Sequence, residues 1–483
     1  MQVFYFKAEA LLEDFTMAKN LMMLAAAMSA LVCNLPVQGQ RITVDGTKFY
    51  ADGREIWLNG ANTPWNNWND FGTGNYEHAW WENHMQVLSD KGVNCIRVWI
   101  SCNGGGIRIN PDGTVTGVTT SFFSDLDQFF GLAEQYEIYI FATLLSFDHT
   151  KDGNPDYLAF RACFNDNEKT ASLVDHYVLP FVTRYQDNPY LFAIDACNEI
   201  EWDHENAEAG SISWDRLQYL VAAMAVGVHS AGPVLFSMGS AAVKWNSDSP
   251  GEGNKWKDSA LQAQLNDPKA FLDFYSPHWY GWVARWFGNP CSKSPADYHI
   301  NDRPCIIGEC PAKGMFTQDS QGNNVLVNNP TEMYEKAWQK GWRGVFPWTS
   351  NGVDANGSIA DFGSATLTFV ENHRELVYPS ETGIGSIPVL QPGELRLFCH
   401  PNPFNASTVI RCRLNHAGSV RIRMFDAKGR IRNTIFEGEK SRGDFSLVWD
   451  GKDDQGEKLP SGIFFCSMET AAGRAVAKVI LVE

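Results

Sequence analysis

Eight short apolar runs, most of them leading into an amphipathic stretch of helical period, predict an α/β chain built on a closed parallel (β/α)8 TIM barrel. Two further observations complete the fold class. Residues 379–394 (PSETGIGSIPVLQPGE) are rich in Pro, Gly and Ser, which marks a linker, and short β-patterned segments after it predict a small all-β sandwich. An open doubly wound sheet is the competing architecture, but no Gly-rich phosphate loop follows an early strand.

Taken in order, the chain opens with a targeting pattern. Lys19 precedes the apolar LMMLAAAMSALVCNL, and the polar PVQGQ after it carries short residues at Val37 and Gly39. These are the charged, apolar and cleavable parts of an export signal, so residues 1–39 are read as a signal peptide. Residues 1–16 are alien to that pattern, which makes Met17 a candidate true start and places the mature N-terminus near Gln40. The apolar part is short for a transmembrane span. A lipoprotein site at Cys33 is disfavoured by Val32 before it. The expected location is secreted or cell-surface attached.

Residues 40–378 carry the barrel pattern. Alternating stretches and Asp-Gly turns from Ile42 to Trp57 read as a hairpin leading into a strand. The eight strand candidates are 56–60, 94–100, 138–146, 191–199, 233–239, 271–280, 304–309 and 344–349. Helical stretches such as HAWWENHMQVLSDKG and SWDRLQYLVAAMAVGVHSAG lie between most of them. In residues 395–483, STVIRCRL, SVRIRMFD, DFSLVWDG and SGIFFCSMET read as sandwich strands. The acidic DGKDDQGE has Lys452 and Gln455 where a calcium loop needs an acid and a Gly, so it reads as a turn.

Charge and composition narrow the partners. The net charge of −17 disfavours nucleic acid and anionic membrane surfaces, which reward clustered Lys and Arg. Residues 395–483 hold 14 Lys+Arg against 10 Asp+Glu, a net of +4, so the remainder carries −21 and the two regions are separate domains. Seventeen Trp are many for a chain of this length and read either as a Trp-rich core or as platforms for stacking ligands. Of the 11 Cys none forms a C-x-x-C pair; Cys95, Cys197 and Cys305 lie in apolar runs and read as small buried hydrophobes. No zinc site, other metal or cofactor is suggested, and a monomer is expected.

In such a barrel, functional side chains collect at the C-terminal strand ends. Strand 2 offers Arg97, strand 4 ends in Asn198 and Glu199, and strand 6 in His278, Trp279 and Tyr280; strand 7 ends in Glu309 and strand 8 in Trp348. Carboxylates on strands 4 and 7 form the pair that glycoside cleavage requires, one protonated and one ionised. Glu201 and Glu205 compete for the role, but they lie past the strand end, where exposure is expected.

The ordered set Arg97, Asn198-Glu199, His278-x-Tyr280, Glu309 and Trp348 resembles the cellulase family of retaining glycosidases, glycoside hydrolase family 5, over roughly residues 41–375. That resemblance implies Glu199 as acid/base and Glu309 as nucleophile. It implies Asn198 on the sugar 2-hydroxyl, Arg97 and Tyr280 holding Glu309, and His278 tuning the acid/base. Trp348 would floor the subsite before the scissile bond. A His after strand 3 is usual in the family, and His149 is the candidate; the usual Asn-Glu-Pro is here Asn198-Glu199-Ile200. The implied substrate is a β-1,4-linked plant polysaccharide, expected to be glucan, with mannan or an exo-acting β-glycosidase as alternatives. A non-catalytic sugar-binding barrel and a metal-dependent hydrolase are rival readings. The tail, from HPNPFNASTVIRCRL to LVWDGKDDQGEKLPSGIFF, resembles C-terminal type IX-like secretion-sorting domains, which implies secretion machinery as a partner. A carbohydrate-binding sandwich is the alternative, with only Trp449 available as an aromatic platform.

Overall fold

In the computed structural model the apolar runs become strands buried on both faces, as a parallel sheet wrapped by helices requires. They are β1 (Leu58–Asn62), β2 (Cys95–Trp99), β3 (Tyr139–Ser146), β4 (Leu191–Asn198), β5 (Leu235–Ser240), β6 (Ser276–Pro277), β7 (Ile307–Pro311) and β8 (Gly344–Trp348). Each pairs in parallel with the next, and β8 returns to β1 with Gly344 opposite Leu58. Parallel bridges Tyr275–Cys305 and His278–Glu309 join the sixth and seventh strands, so the barrel closes. The described residues are 41–205, 210–249, 253–379 and 396–482, apart from 401, 403, 406, 415 and 472. The expected signal peptide and, beyond Pro379, the linker lie outside them.

Seven strands match their expected positions to within a few residues. The sixth is regular only at Ser276–Pro277, not over 271–280. Pro277 has no N–H to give to a ladder. Further back, the Asp273 carboxylate takes the Phe236 N–H at 2.7 Å, a rung made by a side chain.

The expected hairpin at the start is a three-stranded meander, Thr43–Asp45, Lys48–Ala51 and Arg54–Ile56. It drives the buried Phe49 against Phe192 and Phe274 at 5.4 and 5.2 Å between ring centroids, plugging the N-terminal end of the barrel. Inside, Gly60 lies so close to Phe346 that a β-carbon would come within 2.6 Å of its ring. Outer helices begin where local chemistry satisfies their free N–H groups. Pro330–Gln339, for example, starts with a reciprocal Asn329/Glu332 cap and Pro at its first position. Among the described residues, no helix is long and apolar enough to cross a membrane.

The chain divides into two compact units, and the second begins at Ile384. It is an all-β sandwich: a sheet of Arg396–His400, Thr408–Leu414 and Gly443–Trp449, and a sheet of Ile431–Lys440, Gly418–Asp426, Gly462–Thr470 and Gly473–Leu481. Its core is Ile410, Ile422, Met424, Met468 and Val479. Trp449 joins that core, 1% exposed with its indole N–H on the Lys452 carbonyl, so it is no ligand platform. The acidic segment is a turn: Asp453 accepts the N–H groups of Gln455 and Glu457, and Asp454 accepts that of Thr434. The ten described cysteines are free and buried, Cys95, Cys197 and Cys305 among them.

Candidate active site

Arg97 is where the site begins. It is the third residue of β2, not its end, and points into the barrel with no exposure, deeper than the expected rim position. A buried guanidinium needs acceptors for its donors. Nη1 donates to Glu309 Oε1 at 2.6 Å and to Asn62 Oδ1 at 3.2 Å, and Nη2 to Asn198 Oδ1 at 3.0 Å. Nε donates to Asp195 Oδ2 at 2.8 Å, and the Trp99 ring lies 4.4 Å beneath the guanidinium carbon.

The two carboxylates face each other across His278. Glu309, expected at the end of its strand, is the third residue of β7, with Oε1 on Arg97 and Oε2 accepting from the Tyr280 hydroxyl at 2.8 Å. Glu199 follows the last residue of β4 in a left-handed conformation (φ 48°), rare for a residue with a side chain, and its N–H bonds the Gly239 carbonyl. That turn carries its carboxyl back over the mouth. Oε1 meets His278 Nδ1 at 2.6 Å and Oε2 accepts the Trp202 indole N–H at 2.7 Å. His278 Nδ1 lies 3.4 Å from Glu309 Oε2, and donor atoms of the three residues fall within 4.8 Å of one another. Such a spacing could cradle a cation, but the Arg97 guanidinium already supplies a fixed positive charge at 2.6 Å from Glu309.

Electrostatics separate the roles. Burial pushes Glu199 up to about 7, against the Trp202 hydrogen bond and the charge of Arg97. Burial also raises Glu309, opposed by His278, Arg97 and the Tyr280 hydroxyl. The proton resides on Glu199, because Glu309 alone has the guanidinium in direct contact. Burial holds His278 down at about 4, so its ring is neutral, and Nδ1, facing two carboxylates, carries the hydrogen. Burial keeps the Tyr280 phenol protonated as a donor. One acid and one anion within a few ångströms can protonate a leaving oxygen and attack the carbon it departs from.

All seven expected site residues except Trp348 are linked by direct hydrogen bonds or the His278 contact. Trp348 stands beside them, 5.1 Å from Trp99 and 6.1 Å from Trp65, with its N–H on Asp354. Trp65 continues to the half-exposed Trp68 at 4.6 Å, so an aromatic wall runs outward from the carboxylates. His149 is buried, bonded to Ser101 and Ser146, and packed edge-on against Phe160; it braces the loop after β3 without reaching either carboxylate. Glu201 corrects its expected exposure. It is fully buried and accepts from Ser240, the Ala241 N–H and Trp256, while Glu205 is exposed. Asp195, Asn62, Trp99 and Trp202 went unassigned from sequence. The one legible signal was Asp195, an acid inside the apolar LFAIDAC.

Comparison with known proteins decides the family. Residues 50–346, more than half of the chain, match the model described as Cellulase (glycosyl hydrolase family 5). The chain belongs to glycoside hydrolase family 5. As a family 5 member it is a glycoside hydrolase, and the retaining double displacement is typical of the family. A mannan endo-1,4-beta-mannosidase of Mytilus edulis is 25% identical over 364 residues, 70% of this chain and 95% of that protein. One from Cryptopygus antarcticus is 24% identical over 343 residues, 64% of this chain and 84% of that protein. The solved endo-1,4-beta-mannanase of Eisenia fetida shares the fold, with a TM-score of 0.60 at 24% identity over 68% of this chain and 95% of that one. Residues 406–474 match a FlgD Ig-like domain.

Proposed function

We propose that this family 5 hydrolase is an exported endo-β-1,4-mannanase in which Glu309 is the nucleophile and Glu199 the acid/base. The observation that carries the residue roles is the unequal pairing of the two carboxyls: Arg97 and Tyr280 hold Glu309, whereas Glu199 has neutral partners and rises to about 7. Glu309 attacks the anomeric carbon as Glu199 gives its proton to the departing oxygen, leaving a glycosyl-enzyme. Glu199, now a carboxylate, takes a proton from water, which attacks the same carbon and restores both residues with the configuration retained. Asn198, its Oδ1 occupied by Arg97, keeps its amide hydrogens for the 2-hydroxyl, and Trp348 offers a ring to the sugar held before the bond. An oxygen of Glu199 and one of Glu309 lie within 4.8 Å of each other, which suits this route, since inverting enzymes hold their carboxyls about 6.5–9.5 Å apart for an intervening water.

The first expectation for the substrate was glucan. The names of the relatives support mannan instead, and endo action with it. Export rests on the pattern around Lys19–Gly39. A sandwich without a Trp face favours sorting or attachment over sugar binding. Reducing-sugar and viscosity assays on galactomannan, glucomannan, mixed-linkage glucan and carboxymethyl cellulose test the reading. Mannans should give the highest kcat/KM, with an early fall in viscosity; a preference for carboxymethyl cellulose returns the enzyme to glucan.

A further inference from the structure

We infer that Asp195 is a positioning residue for the reaction, holding Arg97 from behind and, through Gly239, the backbone that places Glu199. The inference rests on Glu309 acting as the nucleophile that Arg97 holds. Asp195 is the fifth residue of β4 and has no exposure. Four contacts use both of its oxygens. Oδ2 meets Arg97 Nε at 2.8 Å, Arg97 Nη2 at 2.6 Å and the Thr143 hydroxyl at 2.9 Å, while Oδ1 accepts the Gly239 N–H at 2.8 Å. None of these reaches either reacting carboxyl. Its effect passes through neighbours.

Two paths lead from it. The first is electrostatic. Arg97 is fully buried between Asp195 and Glu309, so the two acids divide one cation. With its charge half answered by Asp195, Arg97 orients Glu309 without gripping the anion so tightly that it ceases to attack. The second is geometric. Register between β4 and β5 slips from Ser237 opposite Asp195 to Gly239 opposite Asn198, and Asp195 takes the Gly239 N–H at this irregularity. Gly239 in turn accepts the Glu199 N–H at 2.7 Å, which fixes the left-handed residue carrying the acid. No side chain fits at Gly239, since a β-carbon would stand 2.4 Å from Arg97 Nη2. Around Glu309 the titratable and charged groups are Arg97 from β2, Asp195 and Glu199 from β4 and its end, His278 and Tyr280 beyond β6, and Cys310 next on β7.

Asp195→Asn keeps the shape and removes the charge. All of the Arg97 charge then falls on Glu309. In the folded variant kcat should drop at least about 30-fold with KM changed less than about threefold, and the acidic limb of kcat/KM should move down by about one pH unit. A folded variant with a lower melting temperature but wild-type kcat and an unmoved acidic limb would reduce Asp195 to a structural role and overturn the inference. If Asp195→Asn does not fold, Thr143→Val decides. It frees Oδ2 for Arg97 alone, draws the guanidinium from Glu309, and should move the acidic limb up; an unmoved limb overturns the inference. Labelling the wild-type enzyme with a 2-fluoro glycoside and sequencing the modified peptide tests the nucleophile separately. A label away from Glu309 defeats that assignment, whereas a label on Glu309 with an unmoved acidic limb defeats only the role of Asp195.

Discussion

Glu199 and Glu201 are two residues apart, and burial pushes both carboxyls up to about 7. Glu201 is sealed: Ser240, the Ala241 N–H and the Trp256 indole occupy its oxygens, and it has no exposure. Glu199 keeps 16% of its side chain open and faces a second carboxyl that owns a cation. A raised proton affinity is therefore shared by the proposed acid/base and a brace. What distinguishes them is an approach for a ligand and a partner of opposite protonation. The left-handed turn at Glu199 makes the difference, because it sends one carboxyl over the mouth and the other behind the end of β5.

The largest effect that could break this comparison lies at Glu309. Glu309→Gln removes the anion that Arg97 and Tyr280 hold and should lower kcat by more than about a thousandfold with the circular dichroism spectrum unchanged. Retention of more than a few per cent of activity would leave Glu199 without its counterpart. Next comes Glu199→Ala. It should lose about 10²–10⁴-fold on polysaccharide, whose leaving hydroxyl needs a proton, and far less in the first step on an aryl glycoside with an acidic phenol. Azide should restore turnover and give a glycosyl azide of retained configuration. The wild-type alkaline limb, set by loss of the Glu199 proton near pH 7, should vanish for the activated substrate. Equal losses on both substrates without rescue would move the role to another carboxyl.

The barrel and its carboxylate pair were legible because strand period and strand ends are local features. Asn198 ends β4 and Glu199 follows it, while Glu309 was legible as the acid that breaks the apolar PCIIG, although β7 runs on two residues past it. Other parts were not local. Asp195 and Arg97 are 98 positions apart, and only the closed barrel shows that one answers the other. Nothing in NEIEW announces that Glu199 turns left-handed, so Glu201 read as exposed when it is buried. Pro277 lies within 271–280 and has no N–H for a ladder, and the regular strand there is only Ser276–Pro277.

A smaller effect is expected where the comparison says chemistry is absent. Glu201→Gln should keep kcat/KM within about threefold. Its mark is on stability. A carboxyl whose proton affinity is higher folded than unfolded supports the fold at low pH and loses that support as pH rises from its ordinary 4.5 through about 7. The wild-type melting temperature should therefore fall across that window, and the variant's should fall less. A slope equal to the wild type's would show that Glu201 is not the group responsible.

The finest distinction uses two tryptophans in matching positions. Trp202 donates to Glu199 at 2.7 Å and Trp256 donates to Glu201 at 2.8 Å, and each bond favours the ionised carboxyl. Replacing either by Phe keeps a ring and removes one donor. Without Trp202 the acid holds its proton to higher pH, so the alkaline limb of activity should move up by about half to one pH unit. Maximal kcat should fall only a few-fold, because Glu199 is still present and His278 still touches it. Trp256→Phe strengthens proton binding at Glu201 by the same reasoning, but that carboxyl faces no substrate. It should lower the melting temperature and leave the pH–activity curve where it was. Movement of the activity limb in both variants would mean that the two carboxyls titrate together, and the line drawn between acid and brace would have to be erased. Movement in neither would take the alkaline limb away from Glu199.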